Sequence, residues 1–279
     1  MKNLIQILLL FSVFSVNAQN IDRKTLLNDI ETLSSDKYEG RKTGSRGNLM
    51  AAEYIINRFR EIGLDAYKKD YKHPFTFKNR RNEEINGVNL IGYIEGRSEH
   101  VIVISAHYDH VGINNSEIFN GADDNASGVS VILSIATYFK EHKPKNTLLF
   151  IAFDAEEMGL QGADSVRKAP VPSEKNIKLN INLDMVSHND KSELYAAGTY
   201  KTPILRDILQ HADKNTGITI RFGHDEPGSG KDDWTMQSDH GPFAKANIPF
   251  VYFGVEDHDD YHKPSDDFAN INQDFFHSA

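Results

Sequence analysis

The chain reads as an α/β protein, a three-layer α/β/α sandwich around a mostly parallel, mixed central sheet. Four short apolar runs carry most of that reading: His100 to Ala106 (HVIVISA), Thr147 to Phe153 (TLLFIAF), Ile177 to Leu183 (IKLNINL) and Pro249 to Gly254 (PFVYFG). They are short apolar runs of the kind that belong to strands covered on both faces. Helical segments at about Ala126 to Lys140 and Thr202 to Asn215 fall between several of them, and such alternation belongs to parallel sheets with crossover helices. No internal repeat and no Pro/Ser/Gly-rich linker divides the sequence, so residues 19–279 are expected to form one domain.

Along the chain, residues 1–18 combine a basic Lys2, an apolar stretch from about Leu4 to Val16 and a small-residue site at Val16-Asn17-Ala18, the pattern of a secretory signal peptide. The apolar run is broken by Gln6, Ser12 and Ser15 and is shorter than the roughly 20 residues a membrane span requires. The expectation is export through the Sec pathway to a periplasmic or extracellular location, without stable membrane insertion. Asp22 is placed to cap a helix carrying Leu26, Leu27, Ile30 and Leu33. Ser45 opens a second helix with Met50, Ala51, Tyr54, Ile55 and Phe59, which Gly63 closes. Asn89 to Ile94 forms a first strand, ahead of the four apolar runs.

Composition narrows the function. Lys+Arg 31 against Asp+Glu 40 gives a net charge of −9, which repels a phosphate backbone, so nucleic acid is excluded as a partner. The cysteine count of zero excludes thiol chemistry, lipid attachment at a lipobox and Cys-ligated zinc.

The residues just past each apolar run are more specific. HVIVISA leads into His107-Tyr108-Asp109-His110, TLLFIAF into Asp154-Ala155-Glu156-Glu157, IKLNINL into Asp184, and PFVYFG into an acidic loop ending at Tyr261-His262. Ligands of open α/β sheets bind beyond the carboxyl ends of the strands, so four separate stretches deliver imidazoles and carboxylates to one rim. Between the first two lies GADDNASG (Gly121 to Gly128), which adds a carboxylate at the same level. A His/Asp/Glu set without cysteine suits zinc or another borderline divalent ion. The groups exceed the three protein ligands of one catalytic zinc, which favours a pair of ions.

The ordered set SAHYDH, GADDNASG, AEEMG, NLDM, SDHGPF and YHKPSDD resembles the M28 family of zinc aminopeptidases from about residue 38 to 272, and EGRKTGS (Glu39 to Ser45) is similar to that family's N-terminal region. The resemblance implies a zinc-exopeptidase-like fold and a secreted metallo-exopeptidase that removes N-terminal residues from peptides with a free amino terminus. It implies that His107 and Asp184 hold one zinc, Glu157 and His262 the other, and Asp124 bridges both, with a cis Asp124-Asn125 peptide. Glu156 corresponds to the general base, which would take a proton from an activated water and pass it to the leaving amine. Adjacent side chains point apart, so Glu157 can ligate while Glu156 stands over the water. Asp109 is placed to orient His107. The family usually finishes with a helix after its last motif, and here the expectation departs from that pattern: Asn272 to Ala279 reads as a helix that has barely begun.

Other readings attach to single residues. His110 faces away from His107 if the strand continues. Asp123 reads as a turn or capping residue, Arg41 and Arg46 as structural, and Asp239 as a group near the substrate amine. Asp123 to Gly128 mimics the start of a calcium loop but has Ser134 at the twelfth position, where a bidentate Glu is required. Two further functions share the fold: a glutaminyl-peptide cyclase, and a non-catalytic binding module on this scaffold.

Overall fold

The computed structural model describes residues 21–168, 176–210, 212–214 and 216–279; the expected signal peptide at residues 1–18 lies outside them. Helix α1 (Arg23–Leu33) starts where the Asp22 carboxylate accepts the Thr25 amide, and it buries Leu26, Ile30 and Leu33. Helix α2 (Arg46–Ile62) starts where the Ser45 hydroxyl accepts the Asn48 amide and ends at Gly63, whose φ of 80° is the left-handed stop favoured by glycine. Then come β1 (Asp65–Ala66), β2 (Lys72–Lys78), β3 (Glu84–Ile94), β4 (Ser98–His107) and a small hairpin of β5 (Gly112–Asn114) and β6 (Glu117–Phe119). The second half holds α3 (Gly128–Glu141), β7 (Asn146–Phe153), α4 (Gln161–Lys168), β8 (Ile177–Leu183), β9 (Glu193–Ala197), α5 (Pro203–Leu209), β10 (Thr219–Phe222), α6 (His240–Lys245), β11 (Phe250–Gly254) and α7 (Gln273–Ser278).

The main sheet runs β1-β3-β7-β4-β8-β11-β9-β10, with β2 paired to β3. Its centre, β7-β4-β8-β11, is parallel throughout, while β3 and β9 join antiparallel on either side. Alternation along the strands splits the core in two. Ile104, Ala106, Leu148 and Phe150 face α1, α2 and α3, whereas Val101, Val103, Leu149 and Ile151 face Ala163 and Val166 of α4 and Phe243 of α6. The expected α/β/α sandwich with a mostly parallel mixed sheet is therefore the architecture. Strands β2, β9 and β10 go beyond the sequence reading; they lie toward the sheet's margins, where half-exposed positions such as those of β2 (KHPFTFK) and β10 (TIRF) dilute the apolar signal. Helix α5 stops at Leu209, short of the expected end near Asn215. No helix among the described residues is long and apolar enough to cross a membrane.

Candidate metal centre

Because β7, β4, β8 and β11 are parallel, their carboxyl ends share one edge, and each loop leaving that edge is pinned by the backbone. After β4 the chain exits the sheet at His107, whose Nδ1 lies 3.1 Å from the Asp109 carbonyl oxygen. Donation from Nδ1 to that carbonyl leaves the Nε2 lone pair facing inward, the tautomer a cation would need. After β7 the Asp154 carboxylate accepts the amides of Val88 and Ala155 at 2.9 Å, the Thr43 hydroxyl at 2.9 Å and the Asn48 amide nitrogen at 3.0 Å. These bonds fix a turn in which Ala155 has a φ of 57°. After β8, Asp184 is held through its carbonyl by the Tyr252 hydroxyl at 3.2 Å and through its amide by Phe253 at 3.0 Å.

The GADDNASG loop is fixed from both sides. Asp266 accepts the amides of Asp123 and Asp124 at 2.7 and 3.0 Å, and the Asp124-Asn125 peptide is cis. Asn125 donates to the Leu183 carbonyl at 2.9 Å and accepts the Gly128 amide at 2.9 Å. Only glycine fits at 128, since a Cβ there would sit 2.4 Å from the Leu183 carbonyl oxygen.

All five residues expected to hold ions converge. His107 Nε2 lies 3.2 Å from Asp184 Oδ1 and 3.3 Å from Asp124 Oδ1. His262 Nε2 lies 3.0 Å from Asp124 Oδ2 and 3.3 Å from Glu157 Oε2. Asp124 thus turns one oxygen toward each imidazole. Nitrogen and oxygen donors about 2.0–2.1 Å from a tetrahedral zinc stand about 3.3–3.4 Å apart, so both donor sets have the chemistry and spacing for such an ion. Glu156 groups with His107 and Asp184, on the Asp184 side of the cluster. The electrostatics favour cations: hydrogen bonds to Asp124 and Glu157 push His262 up to about 10. Burial opposes a charged His107, yet Asp184, Glu156 and Asp124 hold it well above the ordinary histidine value. Burial, together with Asp239 and Asp184 nearby, drives Glu156 well above the usual carboxylate range.

A cleft of about 80 Å³ opens onto these groups and is walled by Met185, Trp234, Gln237, Tyr252, Val255, Asp257 and Tyr261. Met185 and Tyr261 belong to the NLDM and YHKPSDD stretches and Tyr252 to β11, whereas Trp234, Gln237, Val255 and Asp257 stand in no motif read from the sequence.

Several neighbours differ from expectation. Asp109 orients His107 with its backbone carbonyl; its Oδ1 is 3.8 Å from His107 Nδ1, and its carboxylate instead accepts the amides of Glu156 and Glu157 at 3.0 and 3.3 Å. Asp123 is no cap: fully buried, it accepts the Ser187 amide and hydroxyl at 2.6 and 2.8 Å and faces His258 Nε2 at 3.0 Å. Asp239 is buried with neither carboxylate oxygen hydrogen-bonded, and burial lifts it to about 8. It is not among the residues that line the cleft. His110 comes back beneath Glu157, because β4 ends at His107 and strand alternation stops there. Arg41, 1% exposed, donates to the carbonyls of Tyr108, Leu33, Asn120 and Gly121, while Arg46 is exposed and pairs loosely with Glu39.

Known proteins share both the sequence and the fold. The chain is 31% identical over 217 residues to aminopeptidase YwaD of Bacillus subtilis, covering 73% of this chain and 44% of that protein. It is 29% identical over 201 residues to the alkaline phosphatase isozyme conversion protein of Escherichia coli, covering 67% and 57%. It therefore spans about half the length of these curated relatives. In fold it is similar to the zinc aminopeptidase BSAP of Bacillus subtilis, with a TM-score of 0.75, 17% identity and coverage of 94% and 95%. It is equally similar to glutaminyl cyclase of Porphyromonas gingivalis, with a TM-score of 0.77, 18% identity and coverage of 92% and 94%. The model of peptidase family M28 matches residues 89–279, a span that contains His107, Asp124, Glu156, Glu157, Asp184 and His262, and the chain belongs to that family.

Proposed function

We propose that this chain is an exported metallo-aminopeptidase that hydrolyses the N-terminal residue from peptides with a free amino terminus, using two zinc ions. The observation that carries the reading is Asp124, whose two oxygens face separate imidazole–carboxylate sets at 3.3 and 3.0 Å. His107 and Asp184 would hold one zinc, Glu157 and His262 the other, and Asp124 both. Zinc bound there would polarise the scissile carbonyl and bring the pKa of a water toward neutrality.

The protein's own part is proton handling and placement. Glu156 takes the proton of the attacking water and delivers it to the departing amine. The Asp109 carboxylate, by holding the amides of both glutamates, keeps Glu156 and Glu157 diverging from one turn. The cleft is small, with Trp234 and Tyr252 among its walls, which supports a site for the end of a peptide rather than its middle.

Metal analysis combined with an aminoacyl-anilide and Gln-peptide panel tests the proposal. Two zinc ions per chain with anilide hydrolysis are expected. One zinc per chain with cyclisation of Gln-peptides would replace this reading with the cyclase one, and no metal with no turnover would leave a binding module.

A further inference from the structure

The imidazole of His110 belongs to neither expected donor pair, yet it is among the most deeply buried polar groups of the site, 1% exposed. Its Nδ1 lies 2.7 Å from Glu157 Oε1 and 3.7 Å from Asp124 Oδ2. The other oxygen of the same carboxylate, Oε2, is the one 3.3 Å from His262 Nε2. Glu157 therefore divides its oxygens between two imidazoles, one on each side.

We propose that His110 is a positioning residue that donates from Nδ1 to Glu157 Oε1 and so leaves Oε2 alone for the ion shared with His262 and Asp124. The inference rests on the two-zinc reading. A carboxylate with both oxygens free can rotate and offer either or both; tethering one fixes which oxygen is offered and where. The alternative is that Nδ1 itself binds the ion, and the far side of the ring argues against it. A ligating imidazole nearly always gives its other N–H to an acceptor, but His110 Nε2 is buried with no partner. Ligation through Nδ1 would strand a buried N–H there. The tautomer with its single proton on Nδ1 spends that proton on Glu157 and leaves only a lone pair unmatched.

The surroundings hold the ring in this pose. The His110 amide contacts the Arg41 carbonyl, and the imidazole packs against Gly121, where a Cβ would sit 2.5 Å from His110 Cδ2. Any larger residue at 121 would displace the ring from beneath Glu157.

The test uses the purified full chain loaded with zinc and two variants that move the donor along the side chain. In His110→Asn the amide nitrogen takes the place of Nδ1; in His110→Gln it reaches the place of Nε2, beyond Glu157 Oε1. Zinc content is measured after equilibration against graded concentrations of a chromophoric chelator, and circular dichroism verifies the fold. Wild type and His110→Asn are expected to keep two ions with similar affinity, while His110→Gln loses one of the two about 10- to 100-fold more readily. Equal retention in all three proteins would overturn the proposal, and so would equal loss in both variants, which would mark the ring nitrogen as a ligand. A wild-type protein that holds fewer than two ions would remove the two-zinc reading itself, before any variant is compared.

Discussion

Asp124 and Glu156 illustrate how differently two carboxylates of one site should respond to deletion. Asp124 faces both imidazoles, so Asp124→Ala is expected to abolish binding of at least one ion and with it turnover, as metal analysis of the dialysed protein would report. In the proposed mechanism Glu156 handles the proton, so Glu156→Ala should keep both ions and lose about 10²–10⁴-fold in kcat. Full activity in that variant would remove Glu156 from the mechanism. At this scale much is legible in the sequence, because a ligand has to be His, Asp or Glu, and a strand end fixes where it points. His107, Asp124, Glu157, Asp184 and His262 each stand in a short motif, with His107 ending β4 and Asp184 directly following β8. Contacts made after the strand ends are not legible in the same way. His110 depends on where β4 stops, and the division between the carbonyl and carboxylate of Asp109 depends on loop torsions that leave no pattern of residue types.

The elements set the site largely by holding the loops that carry its side chains. Arg41, in the loop between α1 and α2, ties four carbonyls from three stretches of chain: Leu33 at the end of α1, Tyr108 beside His107, and Asn120 and Gly121 before Asp124. Burial lowers its pKa to about 10, still far above neutrality, so it remains a cation with Asp266 and Asp124 nearby. Lysine cannot reproduce a planar fork of donors, so Arg41→Lys should leave buried carbonyls unmatched and cost about 3–5 kcal/mol in denaturant unfolding. A loss below about 1 kcal/mol, the size of a single ordinary hydrogen bond, would mean that the loops hold without the guanidinium. The central parallel strands are visible as apolar runs and the caps Asp22, Ser45 and Gly63 as residue types suited to their positions. The marginal strands are not, because half their side chains face water and their pairing is decided by a neighbour distant in sequence.

For the whole molecule, buried histidine sets one limit on acid stability. His240 packs against Phe250 and Tyr252, shares its Nε2 with the Trp234 carbonyl at 2.9 Å, and burial lowers its pKa to about 4. The unfolded chain protonates this residue near pH 6.5, above the folded value, so stability is complete above about pH 6.5 and declines as pH falls toward about 4. The difference is about 3 kcal/mol. His240→Gln keeps a donor for Trp234 and should flatten that part of the decline in Tm between about pH 7 and about pH 4.5; an unchanged slope would place the acid sensitivity elsewhere. The Arg41 brace has a wider consequence. Arg41, Thr43 and Asn48, which clamp the loops carrying His107, Asp124 and Glu156, all precede residue 89, where the family match begins. A fragment cut to residues 89–279 would keep every donor atom and forfeit the scaffolding that aims them. Such a fragment is expected to chelate weakly and turn over nothing, so the unit that could be transplanted between proteins is larger than the span the family model matches.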